Sequence, residues 1–144
     1  VAHMQGDFDG ARAQLDAAVK VARDAGDGWS LAMTLVPLGD LERSRGHHAR
    51  AGDVYRESLT RLAEIGLADH PLEHPYLVHN LGYVALAEGQ PPKAFRQFMD
   101  AVAGTDAWAT REGGMPPAYR AQQVGTAAAL LSALGLAGSS QRKE

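Results

Sequence analysis

Residues 78–102, VHNLGYVALAEGQPPKAFRQFMDAV, predict two helices joined by a tight turn. The apolar residues of the first half recur every three or four positions, which is the period of an amphipathic helix. Gly89 can adopt the left-handed conformation that ends a helix, and the two prolines that follow it can start the next one. The segment therefore predicts a helical hairpin that reverses at Gly89.

The turn glycine of this hairpin begins a pattern that recurs twice upstream. An alanine stands five residues after the glycine, a large apolar residue nine after it and a small residue twelve after it. The three copies are Gly89 with Ala94, Phe98 and Ala101; Gly46 with Ala51, Tyr55 and Ser58; and Gly6 with Ala11, Leu15 and Ala18. The intervals between the glycines are 40 (46 − 6) and 43 (89 − 46) residues. Repeated helical hairpins of this length predict a solenoid.

The sequence therefore predicts an all-α fold, an alpha-alpha superhelix of about seven helices. One repeat domain is expected over residues 1–136. Its hairpins are predicted at 1–25, 28–66 and 71–104, with a terminal helix at 116–136 and a disordered tail at 137–144. The chain opens with VAHMQG, which resembles the end of a helix, and we expect a fragment of a longer protein.

Composition excludes several classes of function. A chain of 144 residues that is 45% hydrophobic can bury a core, but its formal net charge of −3 offers no basic excess to neutralise phosphates. Direct binding of nucleic acid is therefore not expected. The absence of cysteine excludes disulfides and thiolate chemistry and suits a reducing compartment. The sequence shows no signal peptide or long apolar run, which predicts a cytoplasmic location without membrane contact.

Two Leu-Gly pairs identify the kind of repeat. Leu38-Gly39 and Leu81-Gly82 each precede a turn glycine by seven residues (46 − 39 and 89 − 82). Together with the spaced alanine, aromatic and small positions of the second helix, this pattern resembles tetratricopeptide repeats. The period is longer than the roughly 34 residues usual for this family. Longer repeats of this type resemble those of the MalT-like superhelical domain.

The same segments resemble parts of larger regulators. Residues 38–66, LGDLERSRGHHARAGDVYRESLTRLAEIG, are similar to the C-terminal halves of large actinobacterial regulators of the LuxR type and of the antibiotic-regulatory ATPases. Residues 113–135 also resemble the ending of some of those chains, with two prolines followed by a terminal helix. This resemblance implies a repeat region that works beside other domains.

The resemblance to tetratricopeptide repeats implies a concave groove lined by the first helix of each hairpin. Counted from the Leu-Gly pairs, its partner-binding residues are Met33, Asp40, Arg43 and Ser44 in one repeat, and Tyr76, His79, Asn80 and Tyr83 in the next. Polar and aromatic side chains of this kind suit recognition of a peptide. The alternative is that they are ordinary solvated side chains, or are covered by neighbouring domains of the full protein.

His70-Pro-Leu-Glu73-His74 matches the H-x-x-E-H order of one class of zinc metallopeptidase. That chemistry needs both histidines on one face of a continuous helix and a third ligand further along the chain. Pro75 should interrupt such a helix, and no convincing ligand follows. We therefore interpret residues 66–75 as a loop between repeats. No catalytic residue, metal or cofactor is expected, and no nucleotide-binding motif is present.

These observations predict a noncatalytic interaction or ligand-sensing module within a multidomain transcriptional regulator. Its partner would be a protein or peptide in the groove, with a small effector as a second candidate ligand. Two alternatives remain: a structural module that self-associates into a homodimer, and a free-standing repeat adaptor.

Overall fold

The computed structural model describes residues 2–111, 125–126, 128–130, 132 and 134–135. Its five continuous helices are α1 (Ala2–Ala25), α2 (Gly28–Ser44), α3 (His48–Glu64), α4 (Glu73–Ala87) and α5 (Pro91–Arg111). The described positions from 125 to 135 are also helical. No strand occurs among the described residues, which confirms the all-α prediction. None of the described helices combines the length and apolar composition that a membrane span requires.

The chain divides into two compact units, Val1–Ala68 and Asp69–Glu144. The first unit contains α1, α2 and α3, and the second contains α4 and α5. Two of the three predicted hairpins, α2 with α3 and α4 with α5, therefore each lie within one unit. The stacking of these hairpins into a superhelix stays a prediction.

The two hairpins reverse at the glycines that the sequence pattern indicated. Gly46 and Gly89 have φ angles of 80° and 71°, in the left-handed region that glycine adopts without steric cost. In each turn the amide of the next residue donates to a carbonyl five residues upstream. These bonds join His47 to Glu42 at 2.9 Å and Gln90 to Ala85 at 2.8 Å. They satisfy carbonyls at the end of the first helix, as in a Schellman motif.

The spaced positions of the second helix form the inner side of each hairpin. Side chains at these six positions are at most 1% exposed; they are Ala51, Tyr55 and Ser58 in α3, and Ala94, Phe98 and Ala101 in α5. Ser58 also donates from its hydroxyl to the carbonyl of Ala32 in α2, at 2.9 Å. Burial at the same spacing in two helices indicates that they are built on one repeat.

Each hairpin closes through contact between an aromatic ring and a glycine. A Cβ atom added at Gly39 would lie 2.5 Å from Cε1 of Tyr55, and one added at Gly82 would lie 2.7 Å from Cδ1 of Phe98. Both distances are shorter than carbon atoms tolerate, so a residue with a side chain would push the helices apart. The glycine of each Leu-Gly pair therefore sets how closely the two helices approach.

The first unit contains a third helix, which packs on α2. Its apolar cluster combines Leu15, Val19 and Ala22 of α1 with Leu31, Leu35 and Leu38 of α2 and Val54 of α3. Because α1 contributes one side of this cluster, it behaves as the partner of a hairpin rather than as a hairpin of its own.

Several predicted features differ from the structure. The predicted turn at Gly6 is wrong, because α1 continues through this residue. The small repeat position that follows it, Ala18, is exposed rather than buried. A glycine inside a helix costs only about 1 kcal/mol, which the packing of α1 on α2 can offset, so glycine alone does not end a helix. The hairpin predicted to end at 104 is also longer, since α5 continues to Arg111. Gly104 lies where α5 passes Pro75, and an added Cβ would be 3.0 Å from its Cγ.

The third difference is the number of helices. About seven were expected from the repeat pattern, whereas α1 is one helix where a hairpin over 1–25 was predicted. The terminal helix predicted at 116–136 is helical at the described positions from 125 to 135, while residues 116–124 lie outside the described part of the chain. The predicted tail at 137–144 also lies outside it.

We expect Gly82→Ala to lower the free energy of unfolding by about 1–3 kcal/mol, because its methyl group would overlap the buried ring of Phe98. Urea denaturation followed by circular dichroism measures this. Gly10→Ala in α1 is the matched control: nothing lies within 4 Å of the added atom, so the better helix propensity should stabilise the protein by roughly 0.5–1 kcal/mol. Equal effects of the two substitutions would contradict the proposed role of Gly82.

Candidate partner-binding surface

The predicted partner-binding residues lie on the first helix of each hairpin. Met33, Asp40, Arg43 and Ser44 are on α2 in the first unit, and Tyr76, His79, Asn80 and Tyr83 are on α4 in the second. The structure therefore places four residues in each compact unit. The two groups differ in exposure and in contacts.

In the first unit, the hydroxyl of Tyr55 connects two of the predicted residues. It donates to Oδ1 of Asp40 at 2.6 Å and accepts from Nε of Arg43 at 3.3 Å. Asp40 and Arg43 are both half-buried, whereas the Tyr55 residue as a whole is fully buried. A phenol anchored in the core thus fixes a carboxylate and a guanidinium on the face of α2.

The surroundings of Tyr55 raise its pKa well above the ordinary value. Burial is the largest cause, because it disfavours the phenolate, and the hydrogen bond to Asp40 acts in the same direction. Arg43 opposes this shift through its own hydrogen bond and its charge. The phenol consequently stays protonated to higher pH than an ordinary tyrosine and keeps donating to Asp40 there.

The other two predicted residues of the first unit are less closely tied to Tyr55. Met33 is half-buried and lies two turns of α2 before Asp40. Ser44 is exposed, and its hydroxyl donates to the carbonyl of Leu41 at 2.8 Å, within the last turn of α2. The structure therefore joins Asp40 and Arg43 most tightly among the four residues of the first unit.

In the second unit, two predicted residues lie in the interior. His79 and Asn80 are only 8% and 3% exposed, whereas Tyr76 and Tyr83 are half-buried. The His79 ring makes edge contacts with Tyr83 and Phe98, at centroid distances of 4.8 and 5.6 Å. The expectation of an open groove therefore does not describe this face of α4 in the present structure.

The contact that covers His79 comes from a distant part of the chain. Nδ1 of His79 lies 2.6 Å from Oγ1 of Thr126, in a buried hydrogen bond. Ala129 is buried in the same apolar cluster as Phe98, and Leu130 packs at its edge. The Nδ1 atom of His79 is therefore already engaged within the second unit.

The first unit contains a buried carboxylate, that of Glu42, which was not predicted from the sequence. Glu42 is fully buried, and its Oε1 forms ion pairs with Nε of Arg12 at 3.0 Å and Nε of Arg50 at 2.9 Å. Its Oε2 lies 2.7 Å from Nδ1 of His47. These groups come from α1, the α2–α3 turn and α3, so one carboxylate connects the helices of the unit. The repeat pattern offered one indication of this burial. The equivalent position 43 residues later (85 − 42) is the apolar Ala85, so position 42 is expected to face the core.

The H-x-x-E-H segment lies beside a cavity of about 640 Å³ in the second unit. Pro71, Pro75 and Ala107 form apolar walls, while His74, Asp100 and Arg111 supply polar groups. Nε2 of His74 lies 3.6 Å from Oδ2 of Asp100. The volume is in the range of small-molecule sites, so the cavity could hold a small amphipathic ligand.

The two histidines do not form the arrangement that zinc chemistry needs. Nδ1 of His70 accepts hydrogen bonds from the backbone amides of Leu72 and Glu73, at 3.4 and 3.2 Å. This nitrogen therefore supports the start of α4, which begins at Glu73 and leaves His70 outside the helix. The loop predicted over 66–75 is shorter than expected and the predicted interruption at Pro75 is wrong, because Pro75 lies in the first turn of α4, where a missing N–H costs no helical hydrogen bond. In the part of the chain that the structure describes, no three His, Cys, Asp or Glu side chains converge to hold a metal ion.

Comparison with known proteins supports the fold rather than a function. No protein-family model matches this chain, and no curated protein matches it. Among solved structures, the chain is similar to the crystal structure of BtubC (BKLC) from P. vanneervenii, with a TM-score of 0.78 and 21% sequence identity. The alignment covers 94% of this chain and 52% of BtubC, so the chain spans about half the length of that protein. At this identity the likeness shows a shared fold alone.

We expect Tyr55→Phe to destabilise the protein by about 1–2 kcal/mol at neutral pH, because the ring is kept while both hydrogen bonds of the hydroxyl are lost. The raised pKa adds a dependence on pH. The unfolded chain releases the Tyr55 proton above about pH 10 and the folded protein does not, so this contribution is complete below that pH and is lost above it.

The difference in stability between the two proteins should therefore narrow by about 1.4 kcal/mol per pH unit above pH 10. Denaturation curves of both proteins at neutral pH and at about pH 11, one unit above the ordinary tyrosine pKa, give this difference directly. A difference that stays constant between these conditions would show that Tyr55 ionises equally in both states.

Proposed function

We propose that this chain is a noncatalytic interaction module that binds a protein or peptide segment on the face of α2. The observation that carries the proposal is the pair formed by Asp40 and Arg43, which the Tyr55 hydroxyl holds from below. In keeping with the resemblance of the repeats, we place the module in a multidomain transcriptional regulator of the cytoplasm. Its task there is to receive a signal and pass it to other domains.

The Asp40–Arg43 pair has the chemistry of a peptide-recognition site. Arginine donates several hydrogen bonds in a fixed planar geometry that matches a carboxylate, and the aspartate accepts from amides or cationic side chains. Both side chains normally lose rotamer freedom when they bind a partner. Because Tyr55 already restricts them, less of that entropy remains to be lost, which favours binding.

The state of Tyr55 also fits a positioning role. A phenol whose pKa is raised far above neutrality is a poor general base and a poor nucleophile. Its hydroxyl instead serves to position the two charged side chains. The fixed core under them, with Tyr55 against Gly39, keeps their backbone in place when a partner binds.

The proposal is tested with peptides selected from a random display library against the intact chain, whose affinities are then measured by calorimetry. Arg43→Ala should weaken the selected peptides at least roughly tenfold, the usual cost of losing a charge-assisted bond. Arg43→Lys should recover only part of the loss, because lysine keeps the charge without the planar fork. Lys20→Ala is the control, since the Lys20 side chain is 76% exposed on α1 and pairs with Asp24 one turn along the same helix.

Circular dichroism melts of all three variants verify that the fold is kept. The proposal is wrong if the library yields no specific peptide, or if every selected peptide binds the Arg43→Ala protein as tightly as the unaltered one.

Self-association is the second candidate function, and exposed apolar residues of the first unit favour it. Val21 is 69% exposed, Trp29 41% and Ile65 40%, and a Cβ at Gly28, beside Trp29, would meet the Ile65 side chain. On the interaction proposal we expect a monomer of 15.3 kDa in light scattering throughout a dilution series. A dimer that dissociates on dilution, and that is lost in Trp29→Ser, would favour self-association instead.

A further inference from the structure

Helix α2 contains a proline in its interior. Pro37 stands nine residues after Gly28 and seven before Ser44 (37 − 28 and 44 − 37), and the helix continues through it. A proline has no N–H to donate to the carbonyl four residues earlier, and its ring crowds that carbonyl, so it destabilises the helix. In α2 that carbonyl belongs to Met33. The Met33 carbonyl therefore lacks the donor that an α-helix normally supplies.

The packing of the first unit does not explain this proline. Pro37 is exposed, whereas Leu35 and Leu38 on either side of it are 2% and 4% exposed and hold α2 in the apolar core. The equivalent position of α4, 43 residues later (80 − 37), is Asn80, and α4 still forms the same glycine contact with its partner helix. The repeat thus folds without a proline here. A residue that breaks a local rule without a gain in packing is expected at a functional site.

Pro37 shares a face of α2 with residues of the proposed binding site. Positions 33, 37 and 40 are separated by four and three residues, which places them along one side of a helix. Met33 and Asp40 are half-buried, and Pro37 between them is exposed. Arg43 follows three residues after Asp40 and bonds to the same hydroxyl of Tyr55. The face therefore presents a carbonyl and an apolar ring at one end, and the charged pair at the other.

The Met33 carbonyl and the Pro37 ring suit an extended peptide. Carbonyls on the solvent side of a helix tilt outward to water, and a peptide amide can take the place of such a water. The proline ring offers apolar surface that loses almost no side-chain entropy when a partner covers it. A peptide can thus gain both a backbone hydrogen bond and an apolar contact at this point of α2.

We propose that Pro37 creates the second anchor point of the peptide site on α2. The partner is an extended segment that packs an apolar residue on the Pro37 ring, donates a backbone amide to the Met33 carbonyl and presents an acidic residue to Arg43. Pro37 and Arg43 are six residues apart (43 − 37), which is about 9 Å along a helix. Because an extended chain advances about 3.3 Å per residue, the acidic residue stands about three positions from the apolar one. The inference rests on the proposed function and specifies its ligand.

Pro37→Ala separates binding from stability. The alanine amide can bond to the Met33 carbonyl, so we expect the melting temperature to rise by roughly 5–10 °C. Peptides selected from the library against the intact chain should nevertheless bind about tenfold more weakly, because the ring and the acceptor are lost together. Calorimetry and circular dichroism melts measure the two effects.

Gly10→Ala is the matched control for Pro37→Ala. It also improves a helix, but on α1, where nothing lies within 4 Å of the added atom. It should raise the melting temperature and leave peptide affinity unchanged. A Pro37→Ala protein that melts at a lower temperature, or that binds the peptides as tightly as the unaltered protein, would overturn the inference.

Methylation of single backbone nitrogens along the tightest selected peptide locates the donating amide. At one position beside the apolar residue, methylation should weaken binding to the unaltered protein about tenfold and change binding to the Pro37→Ala protein less than about twofold. The reason is that the Met33 carbonyl is already bonded within the helix of the variant. If methylation costs the same with both proteins at every position, no peptide amide uses this carbonyl and the inference is wrong.

These results distinguish the inference from the proposed function of the first unit. If Arg43→Ala weakens the selected peptides while Pro37→Ala does not, the peptide site stands and the anchor at Pro37 is wrong. A library that yields no specific peptide overturns both.

Discussion

An aromatic ring of the second helix packs against the bare backbone of a glycine in the first helix, in both hairpins of this protein. Tyr55 contacts Gly39 and Phe98 contacts Gly82. The turn glycines, the buried alanines and the leucines near each pair depend on this contact, because it sets the distance between the helices. Any side chain at the glycine would separate them and open the core. Both copies of the repeat thus bring their two helices together through the same close contact.

The two copies of this contact differ by one hydroxyl group, and in our proposal that hydroxyl positions the residues that bind a partner. Phe98 ends in the apolar cluster of the second unit, whereas Tyr55 continues to the face of α2 and fixes Asp40 and Arg43. A core residue thereby supports two charged side chains at the surface. A similar difference occurs at position 42, where the first copy has the buried carboxylate of Glu42 and the second has the apolar side chain of Ala85.

The predicted binding residues of α2 and α4 consequently differ in burial and in contacts. On α2 the charged pair is half-buried and held in position by Tyr55, whereas on α4 His79 is buried and bonded to Thr126. The predicted residues of the two first helices therefore differ in accessibility.

The amino-acid sequence by itself determined the helical class, the turns at Gly46 and Gly89, and the buried positions of α3 and α5, because these follow from local periodicity and from backbone freedom at glycine. It also located Asp40, Arg43 and His79 on first helices. Only the tertiary structure decided that Tyr55 joins Asp40 to Arg43, that Glu42 gathers two arginines, and that Thr126 reaches His79. These contacts join side chains of different helices and depend on which residue fills a shared core, so no local pattern encodes them.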